Sequence, residues 1–149
     1  MSELSTRLGA VIQRKRGVVW STAPKASVFE AIELMAGKEV GALVVMEDGA
    51  LVGIISERDY ARKVVLQGRS SKDTPVAEIM SSPVVCVSPE YTVGECMQVV
   101  TDKRIRHLPV MEGGRVVAVV SIGDLVNWVI QEQETTIRHL EAYISGVAS

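Results

Sequence analysis

The sequence predicts a mixed α/β (α+β) fold made of two pseudo-symmetric halves, and three observations carry that prediction. First, the chain repeats itself: residues 22–59 align without a gap to residues 87–124, each position matching the one 65 residues later, and 12 of the 38 pairs are identical. The identities include Pro24/Pro89, Val28/Val93, Glu30/Glu95, Leu43/Leu108, Gly49/Gly114, Ser56/Ser121 and Asp59/Asp124. Second, both copies run through the same patterns in the same order, apolar residues at helical spacing and then two short apolar runs joined by a glycine-containing turn. Third, both copies close on Ser-x-x-Asp directly after an apolar run. Tandem repeats tend to build a pseudo-symmetric pair, with clefts where the units meet.

Taken in order, residues 6–15 read as a short helix with Leu8, Val11 and Ile12 on one side. Arg14, Lys15 and Arg16 follow as a solvated basic helix end, well placed for the helix dipole. Val18, Val19 and Trp20 read as a short strand, and Pro24 as a turn. Ser27-Val-Phe-Glu30 and Thr92-Val-Gly-Glu95 are capping boxes that open a helix in each repeat. Behind them Val28, Ala31, Ile32 and Met35 form one apolar stripe, and Val93, Cys96, Met97 and Val100 form its counterpart. Residues 42–46 and 51–55 then predict a hairpin around Asp48-Gly49, and residues 108–111 and 116–120 a second around Gly113-Gly114. These runs are nearly continuous in Val, Leu and Ile, as expected of strands covered on both faces.

A helix follows Ser56 and ends near Gly68; another follows Ser121 and runs on to Ile144. Between the repeats, residues 68–74 are polar and linker-like. Thr74 is expected to cap a short helix with Pro75 at its first position, ending at Ser81-Ser82-Pro83. Each repeat is therefore strand–helix–strand–strand–helix. The expected organisation is an N-terminal helical segment (1–17), repeat 1 (18–68), a linker with a short helix (69–83), repeat 2 (84–130) and a C-terminal helical extension (131–149).

Composition bounds the function. At 149 residues, with 47% hydrophobic residues and a mean hydropathy of +0.22, the chain can bury one shared core. A net charge of −2 and a pI near 5.7 argue against DNA or an anionic membrane as partner. Aromatic residues are 4% of the chain, too few for a single-strand stacking platform. Cys86 and Cys96 read as small buried hydrophobes of a reducing compartment, and with only His107 and His139 as imidazoles no metal site is expected. The first residues lack the long apolar core of a signal peptide, and no apolar run is long enough to span a membrane, so a cytoplasmic location is expected.

The chemistry concentrates in Ser56-Glu-Arg-Asp59 and Ser121-Ile-Gly-Asp124. Each places a serine at a helix start with an aspartate three residues on. Such a pair can simply satisfy the orphan N–H groups of the first turn. It can also serve a ligand. A helix N-terminus suits phosphate, the hydroxyl adds a donor, and a carboxylate in the first turn can accept two hydrogen bonds from the vicinal diol of ribose. Both readings stand on the residues alone.

These residues resemble a tandem pair of cystathionine-β-synthase (CBS) domains, a Bateman module. The resemblance covers residues 18–130 and rests on the Pro24 and Pro89 openings, the two capped helices, Gly41-Ala-Leu-Val-Val, Arg106-His-Leu-Pro-Val, the hairpins and both Ser-x-x-Asp segments. It implies two repeats packed through their sheets and regulatory binding of an adenosine-containing ligand, such as AMP, ADP, ATP, S-adenosylmethionine or NAD, with no catalytic cofactor. It further implies two unequal sites. One would join Ser56, Arg58 and Asp59 to Val87, Arg106, His107, Leu108 and Pro109, with Arg104 and Lys103 adding charge nearby. Asp59 would take the ribose hydroxyls, and Ser56 and Arg58 the phosphate. The other would join Ser121 and Asp124 to Thr22, Ala23, Gly41, Ala42 and Leu43. There Gly123 stands where the first site has Arg58, and Gly41-Ala42 where it has Arg106-His107, so weaker nucleotide binding is expected. Lys103, Arg104 and Arg106 also fit an ordinary wet loop, and His107 a satisfied core histidine.

Three functions compete. One is a nucleotide-sensing module that signals to a separate effector protein, working as a homodimer. The second is a ligand-silent dimerisation scaffold. The third is a nucleotide-processing enzyme, against which stand the lack of a nucleophile–base pair, a Walker loop and a nucleophile elbow.

Overall fold

The computed structural model describes residues 3–13, 15 and 18–144. The chain divides into two compact units. One comprises Gly17–Val85 with Gly114–Val116; the other comprises Met1–Arg16, Cys86–Gly113 and Val117–Ser149. Arg14 and Arg16, part of the predicted basic helix end, lie outside the described residues.

In the first-repeat unit, strand β1 (Ser21–Thr22) runs parallel to β2 (Ala42–Glu47), which pairs antiparallel with β3 (Ala50–Ser56), giving the order β1-β2-β3. The strand expected at Val18–Trp20 forms three residues later, at Ser21–Thr22. Val18 and Trp20 stay exposed outside the ladder, and the Lys38 ammonium sits 4.4 Å from the Trp20 ring centroid. Helix α2 (Val28–Lys38) is capped by the Ser27 hydroxyl, which accepts from the Glu30 N–H at 3.1 Å. The reciprocal half of the predicted capping box is not made among the described residues, and Glu30 remains exposed. The hairpin turns on Asp48 (φ 51°) and Gly49 (φ 78°), with Glu47 opposite Ala50. Two successive positive φ angles define the two-residue turn whose twist matches the strands. Its core holds Val28, Ala31, Met35, Leu43, Val45, Ile55, Val64, Val76 and Ile79. After β3 a short helix α3 (Glu57–Tyr60) continues as a wider π-helical turn over Ala61–Val65, and the chain turns at Gly68 (φ 67°).

The predicted cap at Thr74 takes another form. Its hydroxyl donates to the Ser70 carbonyl at 2.7 Å, Pro75 stands at the cap position, and the helix is a single 3-10 turn, Val76–Glu78. The Thr74 carbonyl is instead taken by the Val28 N–H at 2.8 Å, tying the linker to the start of α2.

The second-repeat unit has the same plan. Helix α4 (Val93–Lys103) follows a complete capping box, with Thr92 N–H donating to Glu95 at 2.9 Å and Glu95 N–H donating to the Thr92 hydroxyl at 3.1 Å. Strands β4 (His107–Glu112) and β5 (Arg115–Ser121) pair as a hairpin turning on Gly113 (φ 59°) and Gly114 (φ 77°). A parallel bridge from Val87 to Val110 stands in the place of β1. Helix α5 runs from Ile122 to Ile144, as the sequence predicts.

Helix α1 (Leu8–Val11) is shorter than predicted and belongs to this unit. Leu8 N–H donates to Tyr91 O at 2.7 Å, Gly9 N–H to Pro89 O at 2.9 Å, and Val93 N–H to Thr6 O at 2.8 Å. The linker makes the same three bonds on the first repeat, from Val76 N–H to Ala26 O, Ala77 N–H to Pro24 O and Val28 N–H to Thr74 O. Residues 6–12 are thus the structural counterpart of residues 74–80. Leu8 and Ile12 are 0% exposed, so this segment completes the core that the second repeat cannot close by itself.

Cys96 is buried, as the sequence predicts, whereas Cys86 is only half-buried. Burial, with a smaller contribution from the Glu95 charge, pushes Cys96 up to about 11. The reactive thiolate is therefore scarce at neutral pH. Cys96 should resist a thiol reagent at pH 7.5 in the native protein and react once it is unfolded; labelling followed by peptide mass analysis measures this, and rapid native labelling would contradict it.

Candidate functional site

The two Ser-x-x-Asp segments occupy matched positions where a buried strand meets a helix. In the first-repeat unit, β3 delivers Ser56 to the start of α3. Ser56 N–H and hydroxyl both donate to Asp59 Oδ2, at 2.9 and 3.0 Å, and Asp59 N–H donates to Ser56 Oγ at 3.2 Å. On its other oxygen the carboxylate meets Lys63 Nζ at 3.1 Å, one helical turn on, and Lys63 also donates to Ile79 O at 2.9 Å. The Asp59 side chain is 14% exposed.

In the second-repeat unit, Ser121 N–H donates to Asp124 Oδ2 at 2.8 Å and Asp124 N–H donates to Ser121 Oγ at 3.1 Å. The position matching Lys63 is Trp128, and the cation comes from elsewhere: Lys15 Nζ lies 2.5 Å from Asp124 Oδ2 and also donates to Val119 O at 3.5 Å. Lys15, read from sequence as a solvated helix end, is thus a partner of the candidate ligand-binding carboxylate. Val11, Lys15, Asp124, Asn127, Trp128 and Gln131 border a cavity of about 130 Å³ there. Ligand pockets usually reach several hundred Å³, so this cavity holds no nucleotide while Lys15 covers the carboxylate.

The Asp124 side chain is 27% exposed. Burial by itself raises its pKa, but the hydrogen bond from Lys15, the bonds from Ser121 and the Lys15 charge together outweigh burial and hold the carboxyl below its ordinary value. A carboxyl depressed in the folded state stabilises the fold above the unfolded pKa, and that contribution is lost as pH falls through the folded value. Lys15→Ala should therefore raise the Asp124 pKa and shrink this contribution, so that less stability is lost on acidification and the loss is complete at higher pH. A carboxyl-carbon NMR titration measures this; an unmoved Asp124 would contradict it.

Some of the remaining predicted residues meet these helix starts, each within its own unit. In the first-repeat unit Ala42 pairs with Ser56 across β2–β3, Glu57 N–H donates to Gly41 O at 3.0 Å, and Thr22 pairs with Val45. Arg58 is half-buried and Ala23 exposed. In the second-repeat unit Ile122 N–H donates to Arg106 O at 2.9 Å and Val87 N–H donates to Pro109 O at 3.1 Å. Arg104 and Arg106 are exposed, His107 is half-buried, and Val87 and Pro109 are buried. Leu43 and Leu108 are 0% exposed. Their side chains serve the core, and any part they play at a ligand falls to the backbone. Arg104 also ends α4, as a left-handed cap residue with φ 54°. Among the described residues no three His, Cys, Asp or Glu side chains converge in a way that could hold a metal ion.

Two α/β repeats, each with a capped helix, a hairpin and a serine–aspartate pair at the mouth of its last helix, define a duplicated module. The chain belongs to the CBS domain family, whose model matches residues 16–66 and 76–131. It is 45% identical over 133 residues to the CBS domain-containing protein CBSX3, mitochondrial, of Arabidopsis thaliana; the match covers 86% of this chain and 64% of the length of that relative. Among solved structures, a CBS-domain protein of Burkholderia ambifaria MC40-6 superposes with a TM-score of 0.83 at 45% identity, covering 86% of this chain and 96% of that one. A hexameric CBS-CP12 protein from bloom-forming cyanobacteria superposes with a TM-score of 0.74 at 28% identity, covering 82% of this chain and 71% of that one.

Proposed function

We propose that the chain is an adenine-nucleotide sensor, taking AMP, ADP, ATP or an NAD-type ligand as a regulatory effector. It acts as a homodimer, passing the signal to a separate effector protein through a change in repeat or dimer geometry. The observation that carries this is the duplicated carboxylate. Asp59 and Asp124 sit half-buried in the first turn of a helix, fixed by serine donors, where a vicinal diol would find two acceptor oxygens of set direction. Arg58 and Arg106 add guanidinium forks suited to phosphate. A ligand shifts such a module only by binding its two arrangements unequally. The sensor works in a soluble compartment such as the cytoplasm; no described helix is long and apolar enough to cross a membrane.

Calorimetry with adenosine nucleotides and their 2′-deoxy counterparts tests the proposal. Binding that weakens when the diol is removed supports it, and equal binding rejects the assigned role of the aspartates. Native mass spectrometry of freshly purified protein would identify a retained nucleotide.

A second reading has an observation of its own. Both carboxylates are already engaged by a serine cap and a lysine, the arrangement a ligand-silent scaffold would have. Thermal shift separates the two. A ligand at 100 times its dissociation constant stabilises by about 2.7 kcal/mol, and no shift with any adenine nucleotide at millimolar concentration would favour the scaffold. Turnover of ATP or NAD with magnesium would instead point to an enzyme.

A further inference from the structure

Helix α5 spans 23 residues, about 35 Å. Its inward side ends early. Leu125 is buried, and Trp128, Val129 and Glu132 are half-buried, a stripe at spacing i, i+3, i+4 and i+7 that packs towards the Glu3–Ser5 turn and α4. Among the described residues beyond Glu132, only Ala142 is even half-buried.

A different stripe runs the full length of the helix. Val126, Ile130, Gln133, Ile137, Leu140 and Ile144 follow one another at steps of 4, 3, 4, 3 and 4. That is the heptad alternation of a two-helix seam, with Ile130, Ile137 and Ile144 at a and Val126, Gln133 and Leu140 at d. All six are exposed, the five apolar ones between 38% and 82%. Such a stripe answers to a helix of the same periodicity. The other charges on α5 are Asp124, Glu132, Glu134 and Glu141 against a single Arg138, which disfavours an anionic lipid surface.

We infer that the outer face of α5 pairs in parallel and in register with α5 of a second copy of this chain. The inference rests on the homodimer proposed above and names its surface. Two features set the orientation. In a parallel pair Gln133 meets its own copy and the two amides can bond to each other, the role a single polar seam residue plays in fixing register. An antiparallel pair overlapping over the whole stripe would bury Gln133 against the apolar Ile137. The e positions, Asn127, Glu134 and Glu141, face Val129, Thr136 and Tyr143 at g in the parallel pair. Antiparallel packing would set e against e, and so carboxylate against carboxylate. The seam spans fewer than three heptads, too short to hold two free helices, so it acts as the extension of a helix already anchored at Leu125.

Single cysteines in the full chain test this under mild oxidation, with the native thiols as background. Leu140→Cys and Ile137→Cys should give several-fold more disulfide-linked dimer than Thr135→Cys on the opposite face. Ile137→Asp/Leu140→Asp should lower the dimer fraction in sedimentation velocity while leaving the circular dichroism of the body intact. Equal linking at all three positions, or none, in a wild type that sediments as a dimer overturns the α5 seam and leaves the homodimer standing. A wild type that sediments at 16.1 kDa at micromolar concentration overturns both.

Discussion

Asp59→Ala should weaken adenine-nucleotide binding about 10- to 100-fold, the loss expected when hydrogen bonds to a charged group worth roughly 1.5–3 kcal/mol are removed. Asp124→Ala should cost less, for two reasons on the same chain. Gly123 replaces the arginine that Asp59 has beside it, and the ammonium at Asp124 is the closer one, Lys15 at 2.5 Å against Lys63 at 3.1 Å from Asp59, so a ligand there must displace the tighter partner. Alanine at 59 also removes the acceptor for Ser56 N–H, a cap worth about 1 kcal/mol, so the folded fraction must be checked by circular dichroism. Asp59→Asn keeps an oxygen for that N–H while losing the charge, and it should bind nucleotide less well than wild type with little change in stability. Calorimetry on the three variants settles the ranking; equal affinities for Asp59→Ala and Asp124→Ala would remove the proposed asymmetry.

The second large effect concerns stability. Leu8→Ala should destabilise the protein by about 2–5 kcal/mol, the range for emptying a fully buried leucine site. Leu8 is 0% exposed, and its N–H is bonded to Tyr91 O, so the segment cannot move aside without losing backbone bonds as well. Urea unfolding measures the change. A loss under about 1 kcal/mol would mean that residues 6–12 are an appendage rather than part of the second-repeat core.

Much of this was legible in the residues because local chemistry and tertiary context agree. Asp48-Gly49 and Gly113-Gly114 both turn with two positive φ angles, as the glycines demanded. Ser56-x-x-Asp59 and Ser121-x-x-Asp124 formed at the predicted strand–helix junctions, and the last helix reached Ile144. The misses have separate causes. The equivalence of residues 6–12 with 74–80 runs at an offset of 68, outside the gapless 65-residue alignment, and Thr6/Thr74 is its single identity beside apolar matches at Leu8/Val76, Val11/Ile79 and Ile12/Met80. Backbone hydrogen bonds, blind to side-chain identity, carry the likeness. Lys63 could have been found as the i+4 partner of Asp59. Lys15 could not, since nothing local links it to a carboxylate 109 residues away. Val18 and Trp20 looked like a strand by composition, yet β-propensity yields to the availability of an edge to pair with.

The segment that seals the second-repeat core has a genetic corollary. Scission between residues 85 and 86 would not yield two self-sufficient pieces, because Leu8 and Ile12 would stay on the fragment that has no use for them. A rearranged chain that carries residues 1–16 directly ahead of Cys86 would, by contrast, keep Leu8 and Ile12 on the same fragment as the second repeat.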